Sequence, residues 1–266
     1  MRDFLITLHS RNAELYWFGL IMLVLAGIMA VLSRVTSIEV MGVNAWHKPI
    51  KFALSTTAYA WTMGWITFYL PGTWGQQAFT WGTIVLLGFE VIYIALQAGR
   101  GMLSHYNVST PAYAGLYAAM ALAATAVTVW TAYVGVLFFR GDFPGLPEAY
   151  LWGIRIGIIL FVAFSLEGFV MGSRLSHTIG GPDGNHGIAF LGWSLKYGDP
   201  RVAHFVGMHA LQVLPLLGFY LFPNNPKIIL TLGIVYGLVA IWVLVIALQG
   251  KPLVKLQNSA THALIK

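Results

Sequence analysis

Two glutamates stand inside long apolar stretches of this sequence, where an ionised side chain is costly. Glu90 lies in the stretch near Ala78–Ala98, and Glu167 lies in the stretch near Tyr150–Gly172. An unpaired charge at membrane depth costs on the order of a few kcal/mol or more, so such residues usually bind a ligand, pair with another charge or carry protons. We therefore predict catalytic or proton-carrying roles for both glutamates.

Each glutamate is followed by polar residues at matching distances. Gln97 comes seven residues after the first glutamate, and Arg174 comes seven residues after the second. Seven residues make two helical turns, so each pair is expected to share a helix face. Both stretches then lead to a Leu-Ser-His tripeptide, which ends at His105 in one case and at His177 in the other. This parallel arrangement is consistent with a weak internal repeat.

The histidines predict a ligand set for a cofactor. All except His9 fall on one side of the predicted helices: His47, His105, His177, His186, His204, His209 and His262. Neutral imidazoles with carboxylates bind iron, zinc or copper, and histidines on separate helices can hold haem. We expect His105, His177, His204 and His209 to be metal ligands, with cofactor contacts from His47, Lys48, Gln97 and Gln212, and anion binding by Arg100 and Arg174. The spacing matches no familiar metal motif.

The composition of the chain predicts which structural elements position these residues. Of the 266 residues, 58% are hydrophobic and only 9% are charged, and the mean hydropathy is +0.74. A soluble domain usually carries about a quarter charged residues, so this chain needs lipid as its solvent. Seven stretches approach the roughly 20 residues that cross a bilayer. They lie near Leu15–Leu32, Phe52–Leu70, Ala78–Ala98, Pro111–Phe139, Tyr150–Gly172, Val202–Phe222 and Ile228–Leu248.

The predicted fold is an all-α integral membrane protein, a bundle of about seven transmembrane helices in a single polytopic domain over residues 1–266. Residues 1–13 are expected to form an interfacial helix, and residues 249–266 a short tail. Most Lys and Arg residues fall on the same side as the histidines. The positive-inside rule then places the C-terminus in the cytoplasm and the N-terminus outside the cell membrane.

One long connection is expected to cover the polar residues. It follows the fifth stretch and is rich in Gly. Its apolar part, Gly187–Leu195, predicts a re-entrant or interfacial segment that closes a chamber. Asp183, Gly184 and Asn185 resemble a fragment of a calcium loop without the full ligand set, and we interpret them as a turn.

Several classes of protein are excluded. The chain has no Cys, so it has no disulfide, thiolate metal site or iron–sulfur cluster. The last stretch has no Lys that could bind retinal as a Schiff base, and no nucleotide-binding motif is present. The basic residues form no run, which argues against nucleic acid as a partner. The expected partners are the lipid bilayer and a lipid-soluble or small diffusible substrate.

Three functions remain open. The first is a membrane-embedded redox protein or metalloprotein, an oxidoreductase with haem or a transition metal in a chamber lined by His and Glu. The second is a small proton-coupled transporter or channel that uses Glu90 and Glu167 as intramembrane sites. The third is an assembly factor without catalysis. The first two depend on one arrangement, in which ionisable groups from several helices meet in one chamber near one leaflet.

Overall fold

The computed structural model describes residues 2–72, 74–184 and 187–254. The described helices are α1 (Arg2–Arg11), α2 (Ala13–Val35), α3 (His47–Ile66), α4 (Gln76–Gly99), α5 (Pro111–Arg140), α6 (Glu148–Arg174), α7 (Arg201–Leu216) and α8 (Pro226–Leu248). A hairpin of two short antiparallel strands, β1 (Glu39–Val40) and β2 (Val43–Asn44), joins α2 to α3. Asn185, His186, His262 and most of the predicted tail lie outside the described residues.

Six helices are long and apolar enough to cross a membrane, which confirms an all-α, multi-pass character. They are α2, α4, α5, α6, α7 and α8. Helix α7 is counted here together with the π-helical turn Leu217–Leu221, which continues it. Helix α3 has 20 residues but is less apolar, because its first two turns contain Lys48 and Lys51 and its third contains hydroxyl side chains. It also begins five residues before the predicted stretch, at His47.

The helix boundaries follow from local capping chemistry. Asn12 caps α2, and its Oδ1 accepts a hydrogen bond from the Leu15 amide at 2.9 Å. Thr110 caps α5, where its hydroxyl accepts from the Tyr113 amide, and Pro111 occupies the first position. Such caps satisfy amides that have no partner within the helix. Residues Arg2–Arg11 form a helix before Asn12, where the sequence predicts one.

Helices α6 and α7 approach each other most closely. A Cβ built on Gly153 would lie 2.6 Å from the Leu214 carbonyl oxygen, and one on Gly157 would lie 2.9 Å from the Ala210 oxygen. Small residues at such a seam let two backbones pack in direct contact. Because α6 and α7 run antiparallel, the last turns of α6 lie beside the first turns of α7, where Gly168 contacts His204. Both of these ends contribute to the site described below.

The connection from α6 to α7 lies over the ends of the helices as an irregular segment. Isolated β-bridges join Ile179 to Gly198 and Gly187 to Ser194. Gly187–Leu195 forms turns and an isolated bridge, not a helix, and its re-entrant or interfacial position stays a prediction. Lys51 donates to the Leu191 carbonyl at 2.7 Å, and Arg201 donates to the Gly192 carbonyl at 2.7 Å. These two cations hold the connection against α3 and α7.

Candidate functional site

The first carboxylate–imidazole pair joins α4 to the connection that follows it. The Nε2 atom of His105 lies 3.8 Å from Oε1 of Glu90. Glu90 is buried on the inner face of α4, together with Gln97 two turns further on. The shared face therefore agrees with the seven-residue spacing. Phe52 of α3 and Tyr117 of α5 pack on the His105 ring, so three helices enclose the pair.

A second group of polar residues lies directly above this pair. The Asp183 carboxylate accepts hydrogen bonds from Ser176, His177 and Thr178, including His177 Nδ1 at 2.8 Å. The His177 ring packs on Tyr106, with centroids 4.8 Å apart, and Tyr106 in turn contacts His105. We call Lys48, Glu90, His105, Tyr106, His177 and Asp183 together the chamber.

Lys48 is the cation of the chamber. Glu90 and Asp183 both attract its ammonium group, while Arg201 and Lys51 repel it. No hydrogen bond or ion pair of Lys48 Nζ is present within residues 2–72, 74–184 and 187–254. Lys48 Nζ therefore interacts electrostatically with two carboxylates without direct contact to either. Coulomb attraction at an intermediate dielectric still acts over such a distance.

The connections over the chamber hold their histidines neutral. Burial lowers the pKa of His177 to about 4, and the positive charges of Lys48 and Arg201 act in the same direction against the hydrogen bond to Asp183. Burial also lowers the pKa of His105, with smaller contributions from Lys48 and His177. Burial alone would raise the pKa of Asp183, but hydrogen bonds from His177 and Thr178 outweigh burial and lower this pKa. The chamber therefore contains neutral imidazoles beside an ionised carboxylate.

The second carboxylate–imidazole pair lies at the seam of α6 and α7. Oε2 of Glu167 lies 3.5 Å from Nδ1 of His204. Both Glu167 oxygens and this nitrogen are buried and make no hydrogen bond of ordinary geometry. The His204 ring packs against Gly168, where a Cβ would approach it to 3.3 Å. Buried ionisable groups with so few partners are uncommon, because each lost hydrogen bond costs about 1–3 kcal/mol.

His209 and Gln212 form a third polar contact, apart from the two glutamates. They share a face of α7 as their spacing predicts, with His209 Nδ1 and Gln212 Oε1 3.1 Å apart. Gln212 Nε2 donates to the Thr62 hydroxyl of α3 at 3.2 Å. Phe205 packs on the His209 ring with centroids 4.3 Å apart. Neither residue makes a described contact with the chamber.

The other predicted site residues are divided between interior and surface. Gln97 is fully buried and donates to the Leu103 carbonyl. Arg100 and Arg174 are exposed at the ends of α4 and α6. His47 lies outside the chamber, against Phe190 of the covering connection. Equal spacing after the two glutamates therefore leads to different environments for Gln97 and Arg174.

The predicted metal ligands do not converge on one point. Within the described residues no group of three or more His, Asp or Glu side chains is arranged to hold a metal ion. Each of the four histidines has a different polar neighbour: Glu90 for His105, Asp183 for His177, Glu167 for His204 and Gln212 for His209. The metal and haem assignments remain predictions.

A cluster of buried hydroxyl groups below the chamber was not predicted from the sequence. The Tyr59 hydroxyl and the Thr131 hydroxyl are 2.7 Å apart, at the contact of α3 and α5. Thr83 of α4 is completely buried and also interacts with Tyr59. Lower on α4, the Thr80 hydroxyl accepts from Asn12 at 3.0 Å. Single hydroxyl groups within apolar stretches resemble ordinary helix residues, so the sequence carried no signal for this cluster.

Backbone strain is concentrated at the same end of the bundle. Four non-glycine residues have positive φ angles, and all four lie in described connections at the chamber end: Met41, Tyr106, Leu175 and Phe190. Left-handed backbone at such residues costs about 1–3 kcal/mol each and tends to occur at functional sites. Tyr106, with φ at 60°, is the one that contacts both chamber histidines.

The comparisons with known proteins found no match, so a function can be assigned only from the geometry of the site. No family model, no curated protein and no solved structure matches this chain.

Proposed function

We propose that the chain is a seven-helix protein of the cell membrane, with its N-terminus outside and its C-terminus in the cytoplasm. In this proposal α3 is the seventh span. Its packing supports this, since α3 runs through the bundle with Ala53, Ala60 and Met63 completely buried. A polar helix can cross a bilayer when other helices shield it from lipid. The excess of Lys and Arg at the chamber end supports the orientation.

We further propose that the protein transfers protons across the membrane through the chamber. The observation that carries this proposal is the Glu90–His105 pair, 3.8 Å apart, with Lys48 within electrostatic range of Glu90. A carboxyl group and an imidazole can exchange a proton without changing the net charge of the pair. The amine of Lys48 also interacts electrostatically with Glu90, which gives the pair a third ionisable neighbour for proton exchange.

The inner face of α4 supports a path beyond the chamber. Thr80, Thr83, Glu90 and Gln97 are all buried on this helix. They extend over about 26 Å at 1.5 Å per residue, which is close to the thickness of the hydrocarbon core. The longest intervals on this face are two turns, or about 10 Å, which a short chain of water molecules would bridge. The hydroxyl cluster of Tyr59 and Thr131 adjoins Thr83 in the lower interval.

Proton flux into liposomes tests the proposal. The purified full chain is reconstituted with a pH-sensitive dye inside, and a potassium gradient with valinomycin supplies the driving potential. We expect the wild type to acidify the lumen faster than empty liposomes and Glu90→Gln to slow this at least about tenfold, because Gln has no titratable proton. Glu148→Gln, an exposed glutamate at the start of α6, is the matched control and should retain wild-type flux.

Two outcomes of this experiment would contradict the proposal. Wild-type liposomes that acidify no faster than empty ones would remove proton transfer and favour a protein of assembly or scaffolding. Equal flux for the wild type and Glu90→Gln would show that protons cross elsewhere.

A metalloprotein is the second candidate function. Asp183 holds His177 through Nδ1, which leaves Nε2 directed away from this carboxylate. Metal-binding histidines commonly have such an orienting carboxylate. A redox role with a lipid-soluble or small substrate would follow if His177 and His105 held haem or a transition metal. Metal analysis and an optical spectrum of the purified protein test this, and a stoichiometric metal that is lost in His177→Ala would support it.

A further inference from the structure

A separate cavity of about 590 Å³ lies at the chamber end, between α2 and the start of α3. We call it the α2–α3 pocket. Its polar residues are Ser33, Arg34, Asn44 and His47, and its apolar walls are Ala30, Ile50 and Phe190. Cavities that bind small ligands usually measure about 300–1,000 Å³. The pocket therefore has room for a substantial ligand and has one polar and one apolar side.

The charges around the α2–α3 pocket are positive. Arg34 is exposed at the last turn of α2, and both Arg34 and Lys51 act electrostatically on His47. Within the part of the chain that the structure describes, no carboxylate lies within 4 Å of Arg34. Glu39 is exposed and pairs with Asn44 in the hairpin, but it makes no described ion pair. This electrostatic environment favours an anion.

An exposed strip of α2, which we call the α2 groove, leads from the pocket along the helix, with Gly27 and Ala30 as its small residues. Leu23, Gly27, Ala30 and Arg34 succeed one another at intervals of three or four residues, so they share one face of the helix. Leu23 and Ala30 are exposed, and a Cβ built on Gly27 would meet no atom within 4 Å. The groove runs towards the middle of the membrane, and its upper end is the pocket wall at Ala30. An acyl chain would fit along this face.

From this geometry we propose that the α2–α3 pocket binds the phosphate of an anionic phospholipid, with an acyl chain along the α2 groove. Arg34 donates to the phosphate oxygens, as guanidinium groups do in bidentate pairs. Basic pockets between helices at the cytoplasmic side commonly hold anionic headgroups. This proposal is independent of proton transfer, since none of the pocket residues belongs to the chamber.

Native mass spectrometry of the detergent-purified full chain tests the proposal with phosphatidylglycerol as the probe. We expect the wild type to retain this lipid at least about tenfold more tightly than Arg34→Gln, the effect of losing one or two charge-assisted hydrogen bonds. Lys196→Gln is the matched control. Lys196 is exposed at the same end of the bundle but away from the pocket, so its variant should bind as the wild type does. Equal retention by the wild type and Arg34→Gln would overturn the proposal.

Two further arms distinguish a lipid from free phosphate. Gly27→Leu fills the groove without touching the pocket, and we expect it to weaken phosphatidylglycerol binding while leaving competition by inorganic phosphate unchanged. If inorganic phosphate binds in an Arg34-dependent way and Gly27→Leu has no effect on the lipid, the phosphate site stands but the acyl groove is wrong. Diacylglycerol, which has no phosphate, should bind weakly. Binding of diacylglycerol as tight as that of phosphatidylglycerol would contradict the phosphate site.

Discussion

The two carboxylate–imidazole pairs have similar composition but different surroundings. Glu90 and His105 lie in the chamber, where Lys48 acts on the carboxylate and two aromatic rings pack on the imidazole. Glu167 and His204 lie at the tight seam of α6 and α7, and the Glu167 oxygens have no hydrogen bond. Glu167 also acts electrostatically on Tyr106 of the chamber, so the contrast rests on Lys48, which acts on Glu90. We expect the pair beside this amine to pass a proton on, and the pair in the seam mainly to lock two helices together.

The largest expected difference between the pairs is in proton flux. Glu90→Gln should reduce flux at least about tenfold, whereas Glu167→Gln should stay within about threefold of the wild type. The reason is that only Glu90 lies on the polar face of α4 that includes Gln97 and Thr83. The measurement is the liposome assay with matched protein content. Equal losses of flux in both variants would place both pairs on one proton path and contradict the proposed difference between them.

The second expected difference is in stability. His204→Ala leaves the buried Glu167 carboxylate without its partner, and we expect a loss of about 3 kcal/mol in the free energy of unfolding. Adding Glu167→Gln to His204→Ala should recover much of this loss, since a neutral amide costs less to bury. Denaturant unfolding in detergent for the single and double variants gives the coupling energy. Additive losses would show that the two side chains do not interact.

Acid should destabilise the connection between α6 and α7, which contains His177 and covers the chamber. Because the pKa of His177 is about 4 in the folded protein against an ordinary 6.5, the unfolded state binds more protons between these values. Stability is therefore lost as the pH falls from 6.5 towards 4, by about 2 kcal/mol for one group of this kind. His177→Gln should flatten this part of the pH dependence, while His9→Gln should not. Thermal unfolding in detergent across this range is the measurement, and parallel curves for all three proteins would contradict the prediction.

The smallest expected effect concerns the hydroxyl cluster. Tyr59→Phe removes the hydroxyl that contacts Thr131, so we expect a loss of about 1 kcal/mol in stability. Its flux should fall at least about threefold if the path continues below Glu90. Tyr133→Phe, at an exposed tyrosine of α5, serves as the control for both measurements. Wild-type flux in Tyr59→Phe would restrict the path to the chamber.

Sequence reasoning predicted the shared face of Glu90 and Gln97, because the helical period determines it, while their depth in the membrane stays a prediction. It could not predict the partner of Glu167, since His204 is brought there by the long connection and the packing of α6 on α7. The repeated Leu-Ser-His tripeptide suggested similar roles for His105 and His177. The structure pairs His177 with Asp183 instead, a residue interpreted only as part of a turn. Local spacing predicts helix faces, but contacts between distant segments depend on tertiary packing.

The proposed proton transfer requires that Glu90 exchanges protons with the chamber end, whereas it does not require Glu167 to do so. Infrared difference spectroscopy after a change of bulk pH measures carboxyl protonation directly in the wild type, Glu90→Gln and Glu167→Gln. We expect a carboxyl signal in the wild type that disappears in Glu90→Gln and persists in Glu167→Gln. A signal that persists in Glu90→Gln, or that disappears only in Glu167→Gln, would contradict it.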